Sequence, residues 1–575
     1  MDNQNNTRDS GLQKAEQSFC PNCGHPLEQG SQFCTECGKS VDGSQESSGK
    51  GKKSLLDFLP AGLNKKVVGI AAAALVVVLL VIVIASSGGG DWSFYIADGE
   101  LNFTDFSGKP FQVTDDLLGD SGLSAGDVTG DFAYFLGYYV SLSKDGKHVI
   151  YPDKLTDGDG VDLYYRRVGK ENKDPVKLDS GVLAYWVNDK FDIVTYVKGE
   201  DGTLYQHDLK EKVKIADEVD DLYVSDDGKE IYYTDSEGGL YYVKSGKEPE
   251  KLDSDVDFMD GTSDDFDVVW YEKDTDLFKK EQGKDKVKVA SDIEDVIQIY
   301  EDGKAYYCKV TESEDTGDGL EGAVTDDDIW AEVTSTYKLC YYDGKEETVI
   351  TDEVGLFDWR VAIDRPVIAY TISDEDGEDD DFYIAIKGTS TLVEQDGISY
   401  MSINDEGTML YFIHDVDEET KIGELRSVKI TNSKVRDSEV VDTDVYAGYG
   451  RFISETDYVY YKDVSGDDEG DMYCDKELVD YDVYLDGNRV TDGKIAYFTD
   501  YNSDRGEGTL KLFDGGKSEK VADDVSDFCF TYDDNLVYLW DISSSGKGTL
   551  SYYDGKSEKI ADDVVGIVPV VNIVG

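Results

Sequence analysis

Proline, methionine and histidine are nearly missing, with 9, 5 and 4 copies in 575 residues. So little proline leaves backbone N–H groups free to pair in sheets along most of the chain. Four histidines leave little for imidazole-based acid–base or metal chemistry. No His-Glu-x-x-His pair or phosphate-cradling glycine loop with Lys-Ser/Thr occurs. Acidic residues are so abundant that no one carboxylate pair stands out for glycoside hydrolysis. The expectation is that the chain is not an enzyme, with an envelope-polymer hydrolase as the alternative.

Basic residues are also in short supply, and unevenly so. The formal net charge is −67. Residues 1–66 hold 8 acidic and 8 basic side chains, residues 67–90 hold none, and the rest hold 115 acidic against 48 basic. Such a surface repels phosphate backbones and anionic head groups, so nucleic acid is not an expected partner. It favours cations, basic peptides or simple solubility, and a solvated acidic surface is the plainer reading.

The uncharged stretch VVGIAAAALVVVLLVIVIA at residues 67–85 is apolar on every face. As a helix it is about 28 Å long, enough for a hydrocarbon core of about 30 Å. Lys50, Lys52, Lys53, Lys65 and Lys66 precede it, while Asp91, Asp98 and Glu100 follow it. Positive flanks stay inside. The reading is a single-pass cell-membrane protein, N-terminus cytoplasmic and residues 91–575 extracytoplasmic. Residues 1–18 are expected to be disordered and 41–66 to be a cytoplasmic linker.

Cysteine is sparse, but four of the eight stand in one pattern. Cys20, Cys23, Cys34 and Cys37 form C-x2-C-x10-C-x2-C within FCPNCGHPLEQGSQFCTECGKS. Four thiolates close a tetrahedral Zn2+ site with no open position, so the metal is structural. A segment this small needs the metal to fold. His25 is a bystander to a complete ligand set. Residues 19–40 resemble the short zinc ribbons at the N-termini of many bacterial membrane proteins. A cytoplasmic protein is the expected partner of this end.

Beyond residue 90 the sequence repeats. LKLFDGGKSEKVADDV from Leu510 and LSYYDGKSEKIADDV from Leu550 align with segments starting at Leu204, Leu240, Leu277 and Leu339. A half-match, FYIADGELNFTDFSGKPFQV, starts at Phe94. Period-two alternation between Asp-Gly turns reads as antiparallel strands, and four short strands per roughly 40 residues is the arithmetic of a propeller blade. In residues 204–235 the four strands read LYQHDL, KVKIA, DLYVS and IYYTD, taken as one unit. About ten units call for one enlarged ring or two rings, and residues 94–163 are placed to complete the last, partial blade and close the ring. A second motif, VSDDGKEIYYTD at Val224, recurs as LSKDGKHVIYPD and INDEGTMLYFIHD. These segments resemble the repeats of TolB-like and WD-like β-propellers. With the ribbon and the apolar run, the chain resembles bacterial zinc-ribbon, single-pass membrane proteins with an extracytoplasmic propeller of unassigned function.

The fold class is therefore all-β, a propeller plus zinc ribbon and one transmembrane helix. The expected role is binding an extracytoplasmic protein, peptide or glycan. Acidic loops TDGDGVD (156–162), DEDGEDDD (374–381) and SGDDEGD (465–471) offer hard oxygens to Ca2+, the basis of a further alternative, a Ca2+-dependent adhesive or structural ectodomain. Solvated hairpin tips are the plainer reading. His148, His207 and His414 read as strand or hairpin residues. Cys308 and Cys340 face each other across a hairpin or remain buried thiols, and Cys474 and Cys529 leave three pairings open.

Overall fold

A computed structural model describes residues 91–119, 130–155, 160–168, 174–199, 201–310, 336–355, 359–373, 380–395, 398–417, 419–466, 468–569 and 572–574. Cys20, Cys23, Cys34, Cys37, His25, the run 67–85 and the central residues of the three acidic loops lie outside them. Among the described residues no helix is long and apolar enough to cross a membrane.

The described chain is all-β but for one helix, α1 (Gly130–Gly137). Its strands pair antiparallel in units of four, mostly with their sequence neighbours, except that Asn572–Val574 runs parallel beside Ser141–Ser143. Blade 1 holds Ser141–Ser143, His148–Asp153, Val161–Arg167 and the start of the long strand Val176–Val187. That strand runs on into blade 2, where it pairs with Val194–Lys198. Blade 3 is a separate sheet of Val219–Val224, Glu230–Asp235, Leu240–Lys244 and Glu250–Asp253. Blades 4 to 8 begin at Phe258, Ile293, Trp359, Ile398 and Arg451. Blade 9 begins at Arg489 and shares the strand Ser518–Phe530 with blade 10. The strand Ser557–Val568 is the outer strand of blade 10 and, through residues 564–568, the inner strand of blade 11. The rest of blade 11 comes from the other end of the chain: Ser93–Ala97, Glu100–Thr104 and Phe111–Gln112. This makes eleven units of four antiparallel strands among the described residues, with Asn572–Val574 added to blade 1 as a fifth, parallel strand.

Eleven apolar clusters join these units face to face. Ile150, Leu163, Val182 and Tyr196 weld blade 1 to blade 2. Ten further clusters repeat the pattern at each next interface. Tyr95, Val537, Leu550 and Val564 join blade 10 to blade 11, and Phe94, Phe103, Leu142, Val149 and Val568 join blade 11 to blade 1. The circuit closes on itself, a single propeller-like ring, so no open sheet face is left at its ends.

The repeat was out of phase as read. LYQHDL and KVKIA are the last two strands of blade 2, while DLYVS and IYYTD are the first two of blade 3. The segment from Leu550 supplies strands three and four of blade 10 and carries on into blade 11. Residues 93–112 complete blade 11, whereas Ser141 already opens blade 1. Periodicity fixes the length of a repeat; the seam where the chain ends meet fixes where each sheet starts.

Acidic residues recur at the corner between blades. The residue before the buried Val or Ile has positive φ at Glu218, Asp255, Asp292, Asp444, Asp482, Asp524 and Asp563, with φ between 49 and 60°. Gly181 takes that place at 64°. Asp tolerates this left-handed backbone better than β-branched residues do. The next side chain, Val219, Val256, Val445, Val483, Val525 or Val564, drops into the core. The Asp-Val corners are thus set by backbone conformation.

Candidate functional site

The turns between the first and second strands of each blade share one face of the ring. Three adjoining cavities open there among blades 4, 5 and 6, and all three touch Asp302. The largest, about 530 Å³, is lined by Thr262, Asp264, Gln298, Glu301, Asp302 and Asp364. Its neighbours, about 270 and 220 Å³, carry Lys279 and Lys284 on one side and Lys304, Arg365 and Lys387 on the other. The floor is rigid: Tyr300 Oη donates to the Ala362 carbonyl at 3.0 Å, and Arg365 donates to the Ile430 carbonyl and to Asn432 Oδ1, each at 3.1 Å. A hydrogen bond with Asp264, and then its charge, hold the Glu301 carboxyl above its ordinary range. The arrangement is an acidic basin rimmed with cations, suited to polar ligands.

Two residues before Thr262 on the same strand, Asp260 sits among like charges. Burial pushes its carboxyl up to about 7, and the charges of Glu272 and Asp295 add to the effect. Burial and Asp295 raise Glu272 as well. The protonated Asp260 donates to Glu272, while its Oδ2 is buried with no partner. Two neighbouring carboxyls both held above their ordinary range have the makings of an acid–base pair. Among the described residues, no group of three His, Cys, Asp or Glu is arranged to hold a metal.

Other charged groups are structural latches. In blade 1 the outer-strand Asp179 accepts from Tyr196 Oη at 2.9 Å, Lys198 Nζ at 2.9 Å and Lys212 Nζ at 2.8 Å, all in blade 2. Burial opposes ionisation of Asp179, but its bonds to Lys212, Lys198 and Tyr196 outweigh this and hold it at about 2. The same Tyr–Asp–Lys arrangement recurs at Asp253 with Tyr271 and Lys286, at Asp442 with Tyr460 and Lys462, and at Asp480 with Tyr497 and Lys511. These latches were not foreseen from the sequence. Their signal was an Asp two residues before the positive-φ corner, where other blades have Ala216, Ala290, Ala522 or Ala561.

The histidines stand in strands, as expected. His148 shares a hydrogen bond with Tyr165 Oη at 2.6 Å, His207 is buried, and His414 lies in Met409–Asp417. Cys308 and Cys340 do not form a bridge. The register sets Cys308 opposite Leu339 and Tyr307 opposite Cys340. One residue of offset turns the thiols to opposite faces of blade 5, Cys308 toward blade 6 and Cys340 toward blade 4. Cys474 and Cys529 are free as well. Burial pushes the Cys340, Cys474 and Cys529 thiols up to about 12.

A zinc-ribbon domain is matched at residues 19–41, which supports a structural zinc at this end of the chain. No curated protein matches the chain. Solved structures resemble it at low identity. The eukaryotic initiation factor structure has 9% identity and TM-score 0.35, covering 73% of this chain and 98% of that one. Porphyromonas gingivalis dipeptidyl peptidase 4 has 11% identity and TM-score 0.33, covering 76% and 67%. The tricorn protease has 11% identity and TM-score 0.25, covering 81% of this chain and 56% of that one. The expectation that the chain is not an enzyme is therefore corrected. Structures that resemble it include peptidases.

Proposed function

We propose that this chain is a single-pass membrane protein with a cytoplasmic N-terminus, whose ring of residues 91–575 binds a protein, peptide or glycan outside the membrane. Cys20, Cys23, Cys34 and Cys37 hold one structural Zn2+ in a ribbon that meets a cytoplasmic protein. The observation that carries this reading is the fastening of Asp91. Its carboxylate accepts from Thr531 Oγ1 at 2.6 Å, Asn535 Nδ2 at 3.0 Å and the Asp533 amide at 3.3 Å. The ring is thus gripped at its first residue, with only residues 86–90 between it and the apolar run 67–85. A closed ring hung directly from such a run suits a rigid binding head on a single anchor.

Epitope insertion tests it. One tag goes before Cys20 and one into the exposed turn at Glu237. On intact cells the Glu237 tag is expected to stain and the N-terminal tag to stain only after permeabilisation. Staining of both tags only after permeabilisation refutes the topology.

A further inference from the structure

Helix α1 links blade 11 to blade 1 and buries Ala133 and Leu136 in the cluster between them. Its other side is aromatic and half in solvent, with Tyr134 and Phe135 50 and 52% exposed and Tyr138, just past the helix end, 51% exposed. The Tyr134 and Tyr138 rings meet edge to face at 5.7 Å. Tyr134 also walls a cavity of about 380 Å³ beside blades 9, 10 and 11, with Phe528, Leu539 and Ile567 for its apolar lining. At that cavity Arg489 lies 3.6 Å from Asp527 and 5.7 Å from the Phe528 ring centroid.

Several aromatic rings elsewhere carry one of the protein's own cations. Lys177 lies over Tyr164, Lys212 over Tyr205, Lys251 over Tyr241, Lys279 over Trp270 and Tyr342, and Lys462 over Tyr473, at 4.8 to 5.8 Å. Among the described residues no lysine or arginine lies over Tyr134 or Phe135. The part of the chain that carries this face has 115 acidic against 48 basic side chains. Its field concentrates cations, and an exposed aromatic ring attracts a desolvated ammonium or guanidinium. We propose that the α1 aromatic face and the adjoining cavity dock a lysine- or arginine-rich peptide segment of a partner protein. Charge complementarity singles out this occupant, because the surrounding acidic field favours cations and disfavours anions. The proposal rests on the binding role above and names its ligand class.

The test uses the full chain in detergent, so it does not depend on which side of a membrane the ring lies. Fluorescein-labelled decalysine is titrated by anisotropy at fixed salt. The double substitution Tyr134→Leu, Phe135→Leu keeps charge and apolar area but removes the rings. It is expected to weaken binding by about tenfold, Tyr134→Phe by less than twofold, and the control Phe258→Leu not at all. A decalysine carrying a benzophenone is expected to crosslink the unmodified chain within residues 130–139 or 526–529. Equal affinity of the double variant and the unmodified chain, or crosslinks confined to other blades, overturns the proposal. So does binding of chitotetraose, a neutral glycan, at this face with none of the peptide.

Discussion

Asp260→Asn should stabilise the protein, and increasingly so as pH rises. The native Asp260 carboxyl titrates at about 7 against an ordinary 3.8. Between those values the folded chain holds a proton that the unfolded chain has released, so stability falls as pH climbs from about 4 to about 7. Above that the whole penalty is present. A displacement of about three powers of ten in proton affinity corresponds to about 4 kcal/mol. Sharing of the proton with Glu272 and local relaxation reduce this, so about 2 kcal/mol is the working figure. The substituted amide retains a donor toward Glu272 and never ionises. Urea midpoints of the unmodified chain and the variant, taken at pH 4, 5, 6, 7 and 8, are the assay. The difference should be near zero at pH 4, open through pH 5–7 and level off beyond. A gap that stays constant across the series would mean that Asp260 is not the titrating group, and the account of a carboxyl raised by burial and like charge would fall.

Asp179→Ala removes a carboxylate that anchors three donors across blades 1 and 2, so a loss of about 2–3 kcal/mol in denaturant unfolding is expected. Because Asp179 is held at about 2, its contribution is present above pH 4 and disappears as pH falls from about 4 to about 2, which acid titration of both proteins will show. Cys308, Cys340 and Cys474 are buried, so a thiol reagent should modify none of them until denaturant opens the ring, and non-reducing mass analysis should find no Cys308–Cys340 bridge. Cys20→Ser should release about one zinc per chain by metal analysis while leaving the melting of the ring unchanged.

The sequence carried the strands better than the sheets they belong to. An Asp-Gly turn between alternating residues is a local signal, because the turn and the side-chain alternation both act within a few residues. Blade phase is not local: it depends on residues 564–568 finding Ser93–Ala97 across the whole chain. The same distinction separates the two readings of Cys308 and Cys340, whose alignment across a hairpin was legible while the one-residue offset that parts them was not. Helix α1 was missed for a related reason. Its GDFAYFLG is as aromatic as the strands around it, and it packs against the strand that closes the ring. A Cβ on Gly137 would stand 2.1 Å from the Pro569 carbonyl oxygen, so the helix end and the residue just after that strand approach each other more closely than any other side chain allows. That contact joins residues far apart in sequence at the seam itself. The candidate sites follow the same rule: the acidic basin draws on blades 4, 5 and 6, Asp260 is perturbed by Asp295 from the next blade, and the aromatic face stands beside blades 9 to 11. What binds here is decided between blades, where a linear reading has the least to say.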